Sequence, residues 1–169
     1  MVICILCAAT VLWQADFNDG LGNFSQLYDY EVKMVHKEGK VILTANPRFE
    51  GFASAWLYVD EEVTFTRDDL LELKIKVDDN KVRFRYFYLA EEGRVYYAGE
   101  EYISRSRNWQ NIMIPLVCAR PFYSSNFPWS LTPDKKPPLF IFIENALPGS
   151  FEVEIDRISV KRVIEREEQ

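Results

Sequence analysis

Side chains suited to covalent or acid–base chemistry are scarce in this chain of 169 residues. His36 is its single histidine, and Cys4, Cys7 and Cys118 are its three cysteines. Cys4 and Cys7 form a CxxC, but no second cysteine pair completes a zinc shell, so neither a zinc centre nor a redox motif is expected. The sequence has no nucleophile motif and no Gly-rich phosphate loop. Two carboxylate pairs, Glu91-Glu92 and Glu100-Glu101, have the residue type of glycosidase acids. Adjacent residues on a strand point to opposite faces, however, and acidic turns ordinarily meet solvent. The chain is therefore read as non-catalytic.

Non-covalent recognition has more to work with. Aromatic residues make up 15% of the chain, with Trp13, Trp56, Trp109 and Trp129 spread along it. Phe and Tyr favour strands, which explains part of that share. The other part suits a stacking surface for sugar rings or for a partner protein. The net charge is −6 and the basic residues are scattered, which argues against a nucleic-acid footprint. Length and apolar content suit one domain with a substantial core, and disordered or collagen-like classes are excluded.

Residues 1–13 (MVICILCAATVLW) are apolar and too few to cross a bilayer as a helix. They resemble the apolar region of a secretory signal, with Ala8 and Ala9 where cleavage would occur, although a basic leading segment is missing. The competing reading starts the first strand at Val11 to Trp13. An export signal would place the protein outside the cell or in the periplasm. Its removal would leave only Cys118, and no intramolecular disulfide. The expected organisation is a signal or strand lead-in at 1–12, one β-sandwich at 13–163, and a charged tail at 164–169.

Strand signals recur at short spacing. Residues 30–36 and 40–45 flank a Lys37-Glu38-Gly39 turn, as a hairpin would. Leu71, Leu73, Ile75 and Val77 alternate with Glu72, Lys74 and Lys76. Further strands are expected at 52–59, 82–89, 94–98, 109–116, 139–144 and 151–161, with a single helical turn at 68–71. Alternation sorts the faces: Leu57 and Val59 face the core, with Trp56 and Tyr58 opposite. Val82, Phe84, Tyr86 and Tyr88 likewise face the core, with Arg83, Arg85 and Phe87 opposite. In residues 151–160 (FEVEIDRISV) Asp156 breaks the alternation, which predicts a bulge with its carboxylate turned inward. The long stretch 119–138 has prolines that exclude a central strand. Its aromatics Phe122, Tyr123, Phe127 and Trp129 suggest that it folds over one edge of the sandwich.

Three landmarks fall in order: residues 16–20 (DFNDG), 109–115 (WQNIMIP) and 149–158 (GSFEVEIDRI). This order resembles the galactose-binding-like jelly roll, above all family 11 carbohydrate-binding modules and the related complex I intermediate-associated domain. Glu154 and Ile155 are extra relative to that pattern, between Phe151 and Asp156. The likeness implies an all-β, two-sheet antiparallel jelly-roll sandwich. It also implies a non-catalytic module that binds a polysaccharide or oligosaccharide on a concave sheet face, with a glycoside hydrolase domain or partner protein. The alternative on the same fold is a protein-interaction or assembly domain that uses the aromatic loop.

The resemblance supplies a site. Trp56, Tyr58 and Tyr123 would stack on sugar rings, Arg83, Arg85 and Arg120 would orient hydroxyls, Phe87 shares their face, and Trp129 would form a rim. Packing beneath the loop is the alternative role for Trp56 and Tyr58, and ion pairing with carboxylates for Arg83 and Arg85. Where the family has a cleft tyrosine on the penultimate strand, this chain has Ile143. The resemblance also implies a structural calcium held by Asn18, Asp19 and Asp156, with carbonyls of the 37–39 turn. The alternative is a carboxylate that caps a turn.

Overall fold

The computed structural model describes residues 7–21, 24–26, 32–50, 54–59, 61–79, 81–90, 95–123 and 137–165. Among them, strands follow one another as β1 Cys7–Ala15, β2 Phe24–Gln26, β3 Lys33–Lys37, β4 Lys40–Ala45, β5 Ser54–Tyr58 and β6 Asp69–Asp79. They continue as β7 Val82–Leu89, β8 Tyr96–Ile103, β9 Ser106–Pro115, β10 Arg120–Phe122, β11 Leu139–Asn145 and β12 Phe151–Glu165. A 3-10 turn, Leu116–Cys118, joins β9 to β10. No helical turn forms at 68–71. Asp69 instead opens β6, where its buried carboxylate takes Arg162 Nε at 2.8 Å and the Thr66 amide at 2.7 Å.

Two six-stranded sheets pack as a jelly-roll β-sandwich. The first has the order β3-β4-β12-β6-β9, and β1 pairs with the far half of β12. The long β12 thus holds β4 and then β1 along one edge and β6 along the other. The second sheet has the order β10-β8-β7-β11-β5-β2, and every ladder in both sheets is antiparallel. The β3–β4 turn is two residues, because Lys37 pairs directly with Lys40. Glu38 and Gly39 both have positive φ, 53° and 70°, as the right-handed twist of a tight hairpin requires.

The core forms where the alternations meet. Leu71, Leu73, Ile75 and Val77 of β6, with Phe151, Val153 and Ile155 of β12, pack against Val82, Phe84, Tyr86 and Tyr88 of β7. Leu139, Ile141 and Ile143 of β11 and Leu57 of β5 complete that layer. Each such side chain contributes roughly 1.5–3 kcal/mol on burial, against about 1 kcal/mol or less for an exposed ion pair, so the core holds the sandwich together.

Cys7 to Leu12 belong to β1, and β12 runs on to Glu165, so the sandwich takes in residues on both sides of 13–163. The bulge in β12 falls at Asp156, between the pairings of Ile155 and Arg157 with β6. Its carboxylate does not turn inward. The extra residue leaves both Asp156 and Arg157 half-buried outside the core, and Ile158 resumes the core face.

Candidate functional site

The outer faces of the two sheets differ in kind. That of the first sheet is a ladder of charges. Lys76 Nζ bonds Asp78 and Glu154, each at 2.7 Å, Lys74 Nζ meets Asp156 at 3.0 Å, and Lys161 pairs with Glu72. Hydrogen bonding to Lys161 holds the Glu72 carboxyl below its usual range. Lys40 and Lys74 both approach the Trp109 ring, at 5.1 and 5.7 Å from its centre. Such a face is at home in water.

The outer face of the second sheet is aromatic. Residues paired in register share a face, so its side chains form rows across the strands. One row runs Tyr58, Phe140, Phe87, Ala98 and Arg120. The next runs Trp56, Phe142, Arg85 and Glu100, and a third runs Ser54, Glu144, Arg83 and Tyr102. Six of the eight ligand-binding residues expected from sequence therefore lie on one face: Trp56, Tyr58, Arg83, Arg85, Phe87 and Arg120. Tyr123 follows β10 directly and is 81% exposed. Trp129 lies outside the described residues.

These residues are not equally available. Trp56 is 7% exposed, and its ring stacks on Tyr58 at 5.5 Å and on Phe140 at 6.4 Å. Phe87 meets Phe122 and Phe142 edge-on at 5.2 and 5.7 Å. Glu144, only 3% exposed, holds the arginines. Its carboxylate accepts from Arg83 Nε at 2.9 Å and Nη2 at 2.8 Å, and from Arg85 Nη2. Burial alone would lower the Arg83 pKa, but Glu144 outweighs it and raises the value. Glu50 meets Arg83 from the far side at 3.3 Å. Arg85 also lies 5.4 Å over the Phe142 ring.

An open cleft of about 580 Å³ lies at the β7–β8–β10 end of this face. Phe87, Ala98 and Phe122 give it apolar walls, and Arg85, Glu100 and Arg120 bring charge to it. Glu101 pairs across from the core residue Phe84, so it and Glu100 occupy opposite faces, as strand alternation requires. Three buried polar atoms on this same face have no hydrogen-bond partner: Ser54 Oγ, Trp56 Nε1 and Arg85 Nε. The outer face of the first sheet has one such atom, Arg157 Nε.

Sequence reasoning missed Phe140, Phe142 and Glu144, and it singled out Phe122 only as a loop aromatic and Glu100 only as an acid facing solvent. A signal was present in β11, where Phe140, Phe142 and Glu144 alternate with Leu139, Ile141 and Ile143. Ile143 points into the core, so Phe142 and Glu144 occupy the outer face on either side of it.

Each of the expected calcium ligands has its own neighbours in the structure. Asn18 Oδ1 lies against the 37–39 turn, 3.0 Å from where a Cβ on Gly39 would stand. Asp19 lines a separate cleft of about 240 Å³ beside Asp16 and Glu61. Asp156 is taken by the Lys74 ammonium. Among the described residues no three of His, Cys, Asp and Glu stand close enough to share a metal ion.

No helix among the described residues is long and apolar enough to cross a membrane. No protein-family profile matches the chain, and no curated protein matches it in sequence. Solved structures do match in fold. A family 11 carbohydrate-binding module from Clostridium thermocellum, in complex with a β-1,3-1,4-mixed-linked tetrasaccharide, has a TM-score of 0.61 at 16% identity, over 90% of this chain and 96% of that one. A family 29 carbohydrate-binding module has a TM-score of 0.52 at 13% identity, over 92% and 90%. An agarase has a TM-score of 0.60 at 10% identity, over 94% of this chain and 25% of its own. The fold is thus a two-sheet antiparallel jelly roll similar to that of these carbohydrate-binding modules.

Proposed function

We propose that this domain is a non-catalytic carbohydrate-binding module, acting outside the cell, that seats a saccharide on the outer face of its second sheet. The observation that carries this reading is the aromatic, arginine-bearing face with its open cleft, opposite a first sheet whose outer face carries a ladder of ion pairs. Phe122, packed on the buried Phe87, supplies apolar contact for sugar rings, while Arg120, Arg85 and Glu100 offer donors and acceptors to hydroxyls. Trp56 and Tyr58 act beneath, by fixing the shape of the face. The likeness in fold to carbohydrate-binding modules supports the reading, and the likeness to part of an agarase suits attachment to a glycoside hydrolase.

Affinity electrophoresis against a panel of soluble polysaccharides tests it. Retardation by at least one polymer is expected, with about tenfold weaker binding after Phe122→Ala, the effect of losing one aromatic contact. If no polysaccharide retards the folded protein, the reading fails. Specific co-purification of one protein partner through Tyr123 would then favour an assembly role.

A further inference from the structure

We propose that the cleft at β7, β8 and β10 takes an anionic saccharide, one carrying carboxylate or sulfate groups, rather than a neutral one. This rests on the saccharide reading above and narrows it. Two arginines and one glutamate bring charge to the cleft, in a protein whose net charge is −6. The arginines differ in their commitments. Arg85 gives a terminal nitrogen to Glu144, which also holds Arg83, and Glu50 meets Arg83 in turn, so these two arginines are already matched by carboxylates. Arg120 is exposed and forms no ion pair among the described residues. It stands at the sheet edge, in register with Ala98, while Arg85 is in register with Glu100 two positions along β8.

The two guanidinium-bearing strands flank β8, about 9.6 Å apart across two strand spacings. Arg120 reaches the cleft beside Ala98, while Arg85, held toward β11 by Glu144 and Phe142, borders it two positions along, so the pair suits anionic groups on neighbouring sugars. The guanidinium fork matches both carboxylate and sulfate oxygens. A neutral sugar would be served equally well by amides or hydroxyls. An unpaired arginine in an acidic protein has a particular use for a charged ligand, because it offsets the repulsion of the remaining surface. Glu100 works in the opposite direction, which makes it the internal control.

The experiment compares wild type, Arg120→Gln and Glu100→Gln by affinity electrophoresis and calorimetry. The probes are polygalacturonate, alginate, glucuronoxylan, dextran sulfate, fully methyl-esterified polygalacturonate and neutral mixed-linkage β-glucan. Melting curves confirm that each variant is folded. The expected result is binding of a uronate or sulfated polymer that weakens as salt rises. Arg120→Gln should weaken it about tenfold and Glu100→Gln tighten it about threefold. Retention of uronates but not of dextran sulfate assigns carboxylate, and the reverse assigns sulfate. If neutral polymers bind as well as charged ones, or if neither variant alters the preference, the inference is overturned while the saccharide reading stands. If nothing in the wider polysaccharide panel binds, both fall.

Discussion

Gly99 shows how one residue lets a sheet carry a core on one side and a cleft on the other. It pairs with Tyr86 across β7 and β8, and a Cβ at Gly99 would stand 2.2 Å from the Tyr86 hydroxyl oxygen and 2.3 Å from Cζ. The phenol ring lies over the glycine backbone, inside the sandwich, while the other side of the same backbone lines the cleft. Gly99→Ala should therefore cost about 1–3 kcal/mol of stability by overpacking. Tyr86→Phe should not rescue it, because Cζ remains in the way, whereas Tyr86→Leu should recover part of the loss. Denaturant unfolding of the single and double variants measures this. A fully stable Gly99→Ala protein would refute the close packing.

At the scale of elements, β12 organises the first sheet, and its bulge decides the fate of Asp156. Because the bulge leaves Asp156 and Arg157 both outside the core, the carboxylate meets Lys74 and not the 16–20 turn. The expected consequence is that excess EDTA, or millimolar calcium, shifts the melting temperature by less than a degree or so. A calcium-dependent rise of several degrees would show that the pair opens for a metal. The position of this bulge was legible in the broken alternation of FEVEIDRISV, but its direction was not, since a bulged residue can emerge on either side. Faces were legible wherever polar and apolar residues alternate, as in β6 and β7. In β11 every residue is buried and the pattern that survives is aromatic against aliphatic, a finer distinction than hydrophobicity alone provides. The apolar start of β1 had the composition of a leader and of a strand alike. In β10 the proline marks an edge, where a missing amide donor is tolerated, and a three-residue strand lacks the length to show a period.

For the whole molecule, the tyrosines sandwiched in the second sheet govern behaviour at high pH. Burial pushes the Tyr86 and Tyr88 phenols up to about 12 and raises Tyr96 as well. The unfolded chain loses these protons near pH 10, while the folded chain keeps them. Between about pH 10 and 12 the folded state thus binds more protons, and its stability falls as pH rises. Below pH 10 the same groups contribute no slope. Melting temperature should decline steeply across that window, with tyrosinate absorbance from the buried residues appearing only as the fold is lost. Ionisation of all tyrosines near pH 10 in an intact fold would contradict this.

The pairing of β1 with β12 brings Cys7 opposite Glu165, so the two ends of the described fold leave side by side. Tension applied between them would load the outermost rung of the ladder first and each following rung in turn, like a zipper opened from its tab. Strands pulled lengthwise past each other share the load over many hydrogen bonds, but strands peeled apart do not. A domain tethered at both ends would therefore yield at low force, starting from this seam. The face with the cleft would keep its shape until the seam had parted, because none of the strands that bear it belongs to that seam.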